Sequence, residues 1–406
     1  MFAALQRIGW RHEPKGYHNW RPEGRGEQQV PIQPRETKQL TTGEMFCYKL
    51  VSMQAKQISR RAFSTGVMTT TVVAPMILGA ANKSGSKNPI VGSGDHTYEC
   101  IHDWGELPAS IKYGNCHGVM EDAQGRIFVH HTVNAASESS DSMVIYDAKG
   151  KFVKSWGKEF KGGAHGLHIH KEGNTEYLYL CDTKRGLVVK TDLDGREVWS
   201  IGYPKEAKGY EQPGADGKPM KYSPTNLTVS PNGDVYVGDG YGSSWVNVYN
   251  KDGKYKMSFG PKGKGKGELN SPHGIMCDMR QGAAKATIIV ADRGNARLQR
   301  FNLAGEHIEF IDGTVLPCHL HTHMKSGDVV VPDLGARVTL FDKNMKLIGH
   351  LGDDSTSKWR ETRVASRDKF TPGKFVTPHG ACFDRKGNIF VAEWVEVGRV
   401  TKLRKV

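Results

Sequence analysis

Six stretches of this 406-residue chain repeat one pattern, and the repetition constrains the fold more than any other feature. They are "CHGVMEDAQGRIFVHH" from Cys116, "AHGLHIHKEGNTEYLYLCD" from Ala164, "PTNLTVSPNGDVYVGD" from Pro224, "PHGIMCDMRQGAAKATIIVAD" from Pro272, "PCHLHTHMKSGDVVVPD" from Pro317 and "PHGACFDRKGNIFVAE" from Pro378. Each reads as a short strand, a turn at Gly with a polar neighbour, and a second strand that ends in an acid or its replacement. Most copies continue into a third strand, as in "SMVIYD", "WVNVYN" and "RVTLFD", then turn into an outer strand such as "FVKSWG" or "YKMSFG". Four strands in roughly 40–50 residues make one propeller blade, which must stack on its neighbours to bury its faces. The expectation is an all-β, six-bladed β-propeller over residues 98–406. The sixth copy stops at "GRVTKLRKV" without an outer strand, and "YECIHDWG" (98–105) resembles the missing piece. The N-terminal strand is therefore expected to close the ring on the last blade.

The chain upstream reads differently. Residues 1–52 are rich in Pro, Gly and charge without periodicity, as expected of a disordered extension or a start-site artefact ahead of Met53. Residues 53–81 carry the pair Arg60 and Arg61, an apolar run from Gly66 to Gly79, and small residues at 79–81. That order is the one of a twin-arginine signal peptide, and it implies export to the periplasm or exterior of a bacterium. Pro75 and the Thr/Val richness of the run argue against a buried helix there. No stretch is long and apolar enough for a membrane-spanning helix.

Export would permit disulfides, yet none of the seven cysteines forms a CxxC pair and no disulfide framework is expected. Cys116, Cys181, Cys277, Cys318 and Cys382 fall at repeat positions and read as small buried apolar residues. The net charge of +13 lies partly in the first eighty residues and is otherwise spread out, apart from "PKGKGKGE". No nucleic-acid-binding pattern accompanies it, so the expected partner is a small-molecule or peptide substrate, taken by a monomer.

Within the repeat, one position faces the channel axis at the start of each innermost strand. Its occupants are His117, His165, Thr225, His273, His319 and His379. A scaffold needs Gly and apolar residues at fixed positions, not imidazole, so five histidines at one register point to chemistry. His165, His273 and His379 belong to alternate blades and lie about 120° apart by the symmetry of the ring. Three imidazoles with an open position suit a catalytic zinc or another transition metal, with His117 and His319 as further axial ligands. The plainer alternative is a water-filled funnel whose imidazoles bond to backbone. His168, His170, His321 and His323 read as structural or surface residues.

The repeats resemble those of NHL propellers: "GKGELNSPHGIMCD…IIVADRGNARLQRFNLAGE" is close to that repeat throughout, and the likeness extends over residues 98–406. Within that group the chain looks most like the peptidyl-α-hydroxyglycine α-amidating lyases, also called peptidylamidoglycolate lyases. "AHGLHI", "SPHGIM" and "TPHGAC" resemble their three zinc-ligand segments and imply ligation by His165, His273 and His379. "VGDGYGSS" matches the turn of the family's catalytic tyrosine, implying that role for Tyr241, and "VADRGN" implies a pocket role for Arg293. Taken alone, Tyr241 could cap its blade and Arg293 could sit in a surface ion pair. The resemblance implies a zinc-dependent carbon–nitrogen lyase that splits a carbinolamide. The sequence departs from the family where an arginine in blade one is replaced by His130, His131 and Thr132. It departs again at Gly380, which stands in place of an aspartate assisting a structural calcium, so calcium is not expected. The alternative reading is a non-catalytic propeller that binds a protein or ligand.

Overall fold

The computed structural model describes residues 87–214 and 216–406, which form six antiparallel sheets. Blade one runs through Cys116–Glu121, Ile127–His131, Met143–Tyr146 and Phe152–Trp156, innermost strand first. Blade two uses Ala164–Glu172, Thr175–Asp182, Leu187–Thr191 and Glu197–Ile201 in the same order. Asn226–Val229, Val235–Gly238, Val246–Tyr249 and Tyr255–Phe259 make blade three. Pro272–Asp278, Thr287–Asp292, Arg297–Phe301 and His307–Ile311 make blade four, and His321–Thr322, Val329–Asp333, Arg337–Phe341 and Leu347–Leu351 make blade five. The expected all-β, six-bladed propeller is the fold.

The sixth sheet draws on both ends of the described chain. Pro378–Phe383, Ile389–Glu393 and Arg399–Lys405 are its inner strands, and His96–Ile101 pairs antiparallel with Arg399–Lys405, setting Cys100 opposite Leu403. A fifth strand, Ile90–Ser93, continues the sheet outward, upstream of residue 98 where the repeats begin in sequence. The extension at 1–52 and the signal at 53–81 lie outside the described residues.

Apolar clusters sit between neighbouring sheets, because each strand shows alternate residues to each side. Tyr179 and Val188 of blade two meet Leu227 and Val237 of blade three; Tyr236 and Val248 meet Ile275 and Phe301 of blade four. Met276 and Leu298 meet Leu320 and Phe341 of blade five, which in turn packs Val330 and Leu340 on Phe383 and Leu403 of blade six. Blade one is held on both sides in one cluster, with Leu167 and Leu180 of blade two and Phe390 and Val400 of blade six.

The acid that ends the second strand of most repeats is a clamp. Asp239, Asp292, Asp333 and Glu393 are fully buried. They accept backbone N–H bonds from Ser223 (2.7 Å), Asn270 (2.7 Å), Leu316 (2.7 Å) and Val376 (2.8 Å), each two or three residues ahead of an axial position. Arg297 donates Nε to Asp292 at 2.8 Å, and Arg399 forms a buried ion pair with Glu393. In blade one His131 takes the acid's place: its Nδ1 accepts from Gly114 (3.4 Å) and Val133 (3.1 Å). Backbone donors at that point need an acceptor, and a neutral imidazole supplies one.

Candidate metal centre at the propeller axis

The glycines after His165, His273 and His379 explain how those rings are held. A Cβ at Gly166 would lie 2.8 Å from the carbonyl oxygen of Thr225, one at Gly274 2.6 Å from that of Cys318, and one at Gly380 2.4 Å from that of His117. Only glycine lets neighbouring inner strands come so close. Those same carbonyls receive the preceding histidines: His165 Nδ1 lies 2.6 Å from Thr225 O, His273 Nδ1 2.8 Å from Cys318 O, and His379 Nδ1 3.0 Å from His117 O. A carbonyl can only accept, so Nδ1 carries the proton and each neutral ring keeps its Nε2 lone pair. His319 is fixed likewise, with Nδ1 at 3.1 Å from Ala381 O.

The structure brings His165, His273 and His379 together in a nearly equilateral triangle, with ring centres 4.8, 4.8 and 4.7 Å apart. All three are buried. Burial pushes His165 down to about 3 and holds His273 and His379 well below the usual imidazole value, so the rings are neutral at ordinary pH. Tyr241 Oη stands between two of them, 3.2 Å from His165 Nε2 and 3.0 Å from His273 Nε2. Arg293 Nη1 lies 3.3 Å from the same oxygen and its Nη2 3.2 Å from Ser271 Oγ. Among the described residues no carboxylate pairs with Arg293; burial works against its charge, but Tyr241 and Cys318 beside it raise its pKa.

His117 joins the cluster differently. Its ring centre is 4.5 Å from that of His165 and 4.4 Å from that of His379, and its Nδ1 faces His379 Nε2 at 3.3 Å rather than a carbonyl. Donor atoms thus fall into two overlapping groups, each with all members within 4.8 Å of one another: His117, His165 and His379, and His273, Cys318 and His379. His319 is not in either group. It sits further along the channel with His168 and His321, all three kept neutral mainly by burial, His319 at about 4 and the other two at about 3. His168 and His321 are half-buried on the inner strands of blades two and five.

The donor set fits a cation. The Nε2 lone pairs of His165 and His273 both face the tyrosine oxygen, which has one proton to give, and His379 shares a donor group with His165 on one side and with His273 on the other. Tying the far nitrogen of each imidazole to a backbone carbonyl is also how protein folds orient metal-ligating histidines.

Two residues at the site escaped the sequence reading. Cys318, expected to be a small apolar residue, reaches the donor cluster because its Sγ points at the axis. Its only sequence signal is its place directly before an axial histidine, which Cys116 shares without the same orientation: Cys116 packs in the apolar core. Arg363, from the long insert between blades five and six, donates Nη2 to Asn115 Oδ1 at 3.4 Å, two residues before His117, and stacks on Trp394. The insert is visible as a gap in the repeat, but nothing in it marks Arg363. His130, offered by the sequence at the blade-one position, is wholly buried against Phe160 and reaches no mouth.

No family model matches the chain. Among curated proteins it is similar to peptidyl-alpha-hydroxyglycine alpha-amidating lyase 1 of Drosophila melanogaster, 28% identical over 189 residues, or 41% of this chain and 32% of that protein. It is also similar to NHL repeat-containing protein 3 of Homo sapiens, 23% identical over 177 residues, or 42% of this chain and 48% of that one. The matched stretches span from 17% to 48% of the length of the curated relatives. A solved gluconolactonase of Xanthomonas campestris superposes with a TM-score of 0.51 at 14% identity, covering 79% of this chain and 95% of that one; this likeness is one of fold.

Proposed function

We propose that the chain is an exported, metal-dependent carbon–nitrogen lyase acting at the axial mouth on a carbinolamide, a small molecule or a peptide with a hydroxyglycine-like end. The observation that carries this reading is the set of three alternate-blade imidazoles, each with Nδ1 tied to backbone and Nε2 turned inward, with Tyr241 Oη between two of them and His117 Nδ1 beside the third. The similarity to an amidating lyase supports the same class.

A zinc or other borderline transition ion held by His165, His273 and His379 would supply Lewis acidity to the substrate hydroxyl. Tyr241, acting as the tyrosinate after its own proton has gone to solvent, takes the hydroxyl proton as the carbon–oxygen double bond forms and the carbon–nitrogen bond breaks. The electron pair of that bond leaves with nitrogen, which receives the proton back from Tyr241, giving an amide and an aldehyde. Arg293, at hydrogen-bond distance from Tyr241 Oη, stabilises the oxygen while it is short of its proton.

The test is release of the aldehyde acid from a peptidyl-α-hydroxyglycine by the metal-loaded protein. Turnover by the wild type that disappears in Tyr241→Phe supports the reading; equal, background-level release by both contradicts it. Export rests on the arginine pair, apolar run and small residues of 60–81. A mature N-terminus close after Gly79 is expected by mass measurement, and one well upstream of it contradicts export.

A further inference from the structure

We propose that Cys318 is a fourth protein ligand of the axial metal, bound as a thiolate beside the imidazoles. The inference rests on the metal reading above and adds to it a donor that the repeat pattern does not provide.

Cys318 is fully buried, and its Sγ lies in one group with the donor atoms of His273 and His379, all within 4.8 Å of one another. The other described cysteines are accounted for by packing. Cys100 belongs to the apolar cluster between blades five and six, Cys116 and Cys382 to that around blade one, Cys181 to that between blades two and three, and Cys277 to that between blades three and four. Cys318 is in none of these clusters, although it is as buried as any of them. Among the described residues its thiol donates a sulfur hydrogen bond to Leu316 O at 3.5 Å and accepts from Arg293 Nη1 at 4.0 Å, which leaves a sulfur lone pair toward the histidines. Burial pushes the Cys318 thiol up to about 12, with the Arg293 guanidinium opposing that shift, so the assignment rests on where the sulfur lies.

The same residue also positions a neighbour. Its carbonyl accepts the Nδ1 proton of His273, so one residue orients an imidazole with its backbone and presents sulfur with its side chain. Ligation replaces the S–H bond by a sulfur–metal bond and releases the proton to solvent. A sulfur donor beside imidazoles selects zinc or cobalt over magnesium, manganese or calcium. It also closes the site in its resting state, so the substrate hydroxyl must displace the thiolate or enlarge the coordination.

Cobalt(II) reads the two claims separately, because imidazole ligation gives visible d–d bands and thiolate ligation adds a near-ultraviolet charge-transfer band. Apoprotein titrated with cobalt should show both, rising to one equivalent per chain. Cys318→Ala should keep the visible bands, lose the near-ultraviolet band and bind cobalt about tenfold or more weakly. Cys277→Ala, altered at a buried cysteine remote from the cluster, should match the wild type. Visible bands without the near-ultraviolet band in the wild type would overturn the Cys318 assignment and leave the histidine site standing, even if Cys318→Ala does not fold. A wild type that takes up no cobalt would overturn the metal reading itself.

Discussion

Tyr241 has one proton and two imidazole nitrogens within reach, with Arg293 on its other side. The ring is half-buried. Tyr241→Phe keeps the ring and removes only the oxygen, so the fold and the histidine ligands should be unaffected. Turnover should fall about 10²–10⁴-fold, the usual range for loss of a general acid–base, with metal content unchanged. Loss of metal in step with activity would instead make Tyr241 a ligand or a support. At this scale the histidines were legible because they recur in register, and Tyr241 and Arg293 only through the likeness of their segments to a family's motifs. The sequence was silent on Cys318 because the direction of a lone thiol depends on side-chain rotamer and neighbouring strands, and both Cys318 and Cys116 precede an axial histidine.

The elements that set the site are the short leads into the inner strands, and their geometry depends on the buried acids. Asp292 accepts from Asn270 N, Arg297 Nε, Gln299 Nε2 at 2.8 Å and Asn295 Nδ2 at 2.8 Å, so one carboxylate fixes the lead to His273 and the turn after the second strand. Asp292→Ala leaves these donors buried without an acceptor and Arg297 without its counter-charge. Removing one partner of a buried pair costs about 3–5 kcal/mol, which urea unfolding would register. A loss below about 1 kcal/mol, the size of a surface ion pair, would contradict the clamp. The acids were legible as the end of each repeat, but their purpose was not, since it lies in bonds to backbone twenty or so residues upstream. His131 shows the same limit: in sequence it looked like part of a substituted arginine site, and in the fold it fills the acid's place.

Across the whole molecule, burial of neutral imidazoles ties stability to pH. His131, wholly buried and accepting two backbone N–H bonds at Nδ1, is pushed down to about 3 by burial, and His102, packed on blade six, to about 4. In the unfolded chain both titrate near 6.5. Below that pH the unfolded state binds protons that the folded state refuses, so stability is complete above about 6.5 and declines as pH falls toward 4. Thermal unfolding should show a falling midpoint between pH 6.5 and 4, with His131 alone contributing on the order of a few kcal/mol. A midpoint flat across that window would contradict the account. The six-bladed ring was legible because each blade repeats the same apolar alternation. The outermost strand, Ile90–Ser93, was not, because it repeats nothing and is defined only by its pairing with His96–Ile101.

Everything proposed for the axis depends on a metal held by imidazoles from alternate blades. The most direct test is the metal content of the full-length protein after reconstitution with zinc and removal of excess, compared with His165→Ala treated identically. The account predicts close to one equivalent per chain in the wild type and loss of most of it in the variant, with both proteins folded by circular dichroism. A wild type that retains no stoichiometric metal, or a His165→Ala variant that retains as much as the wild type, would contradict it.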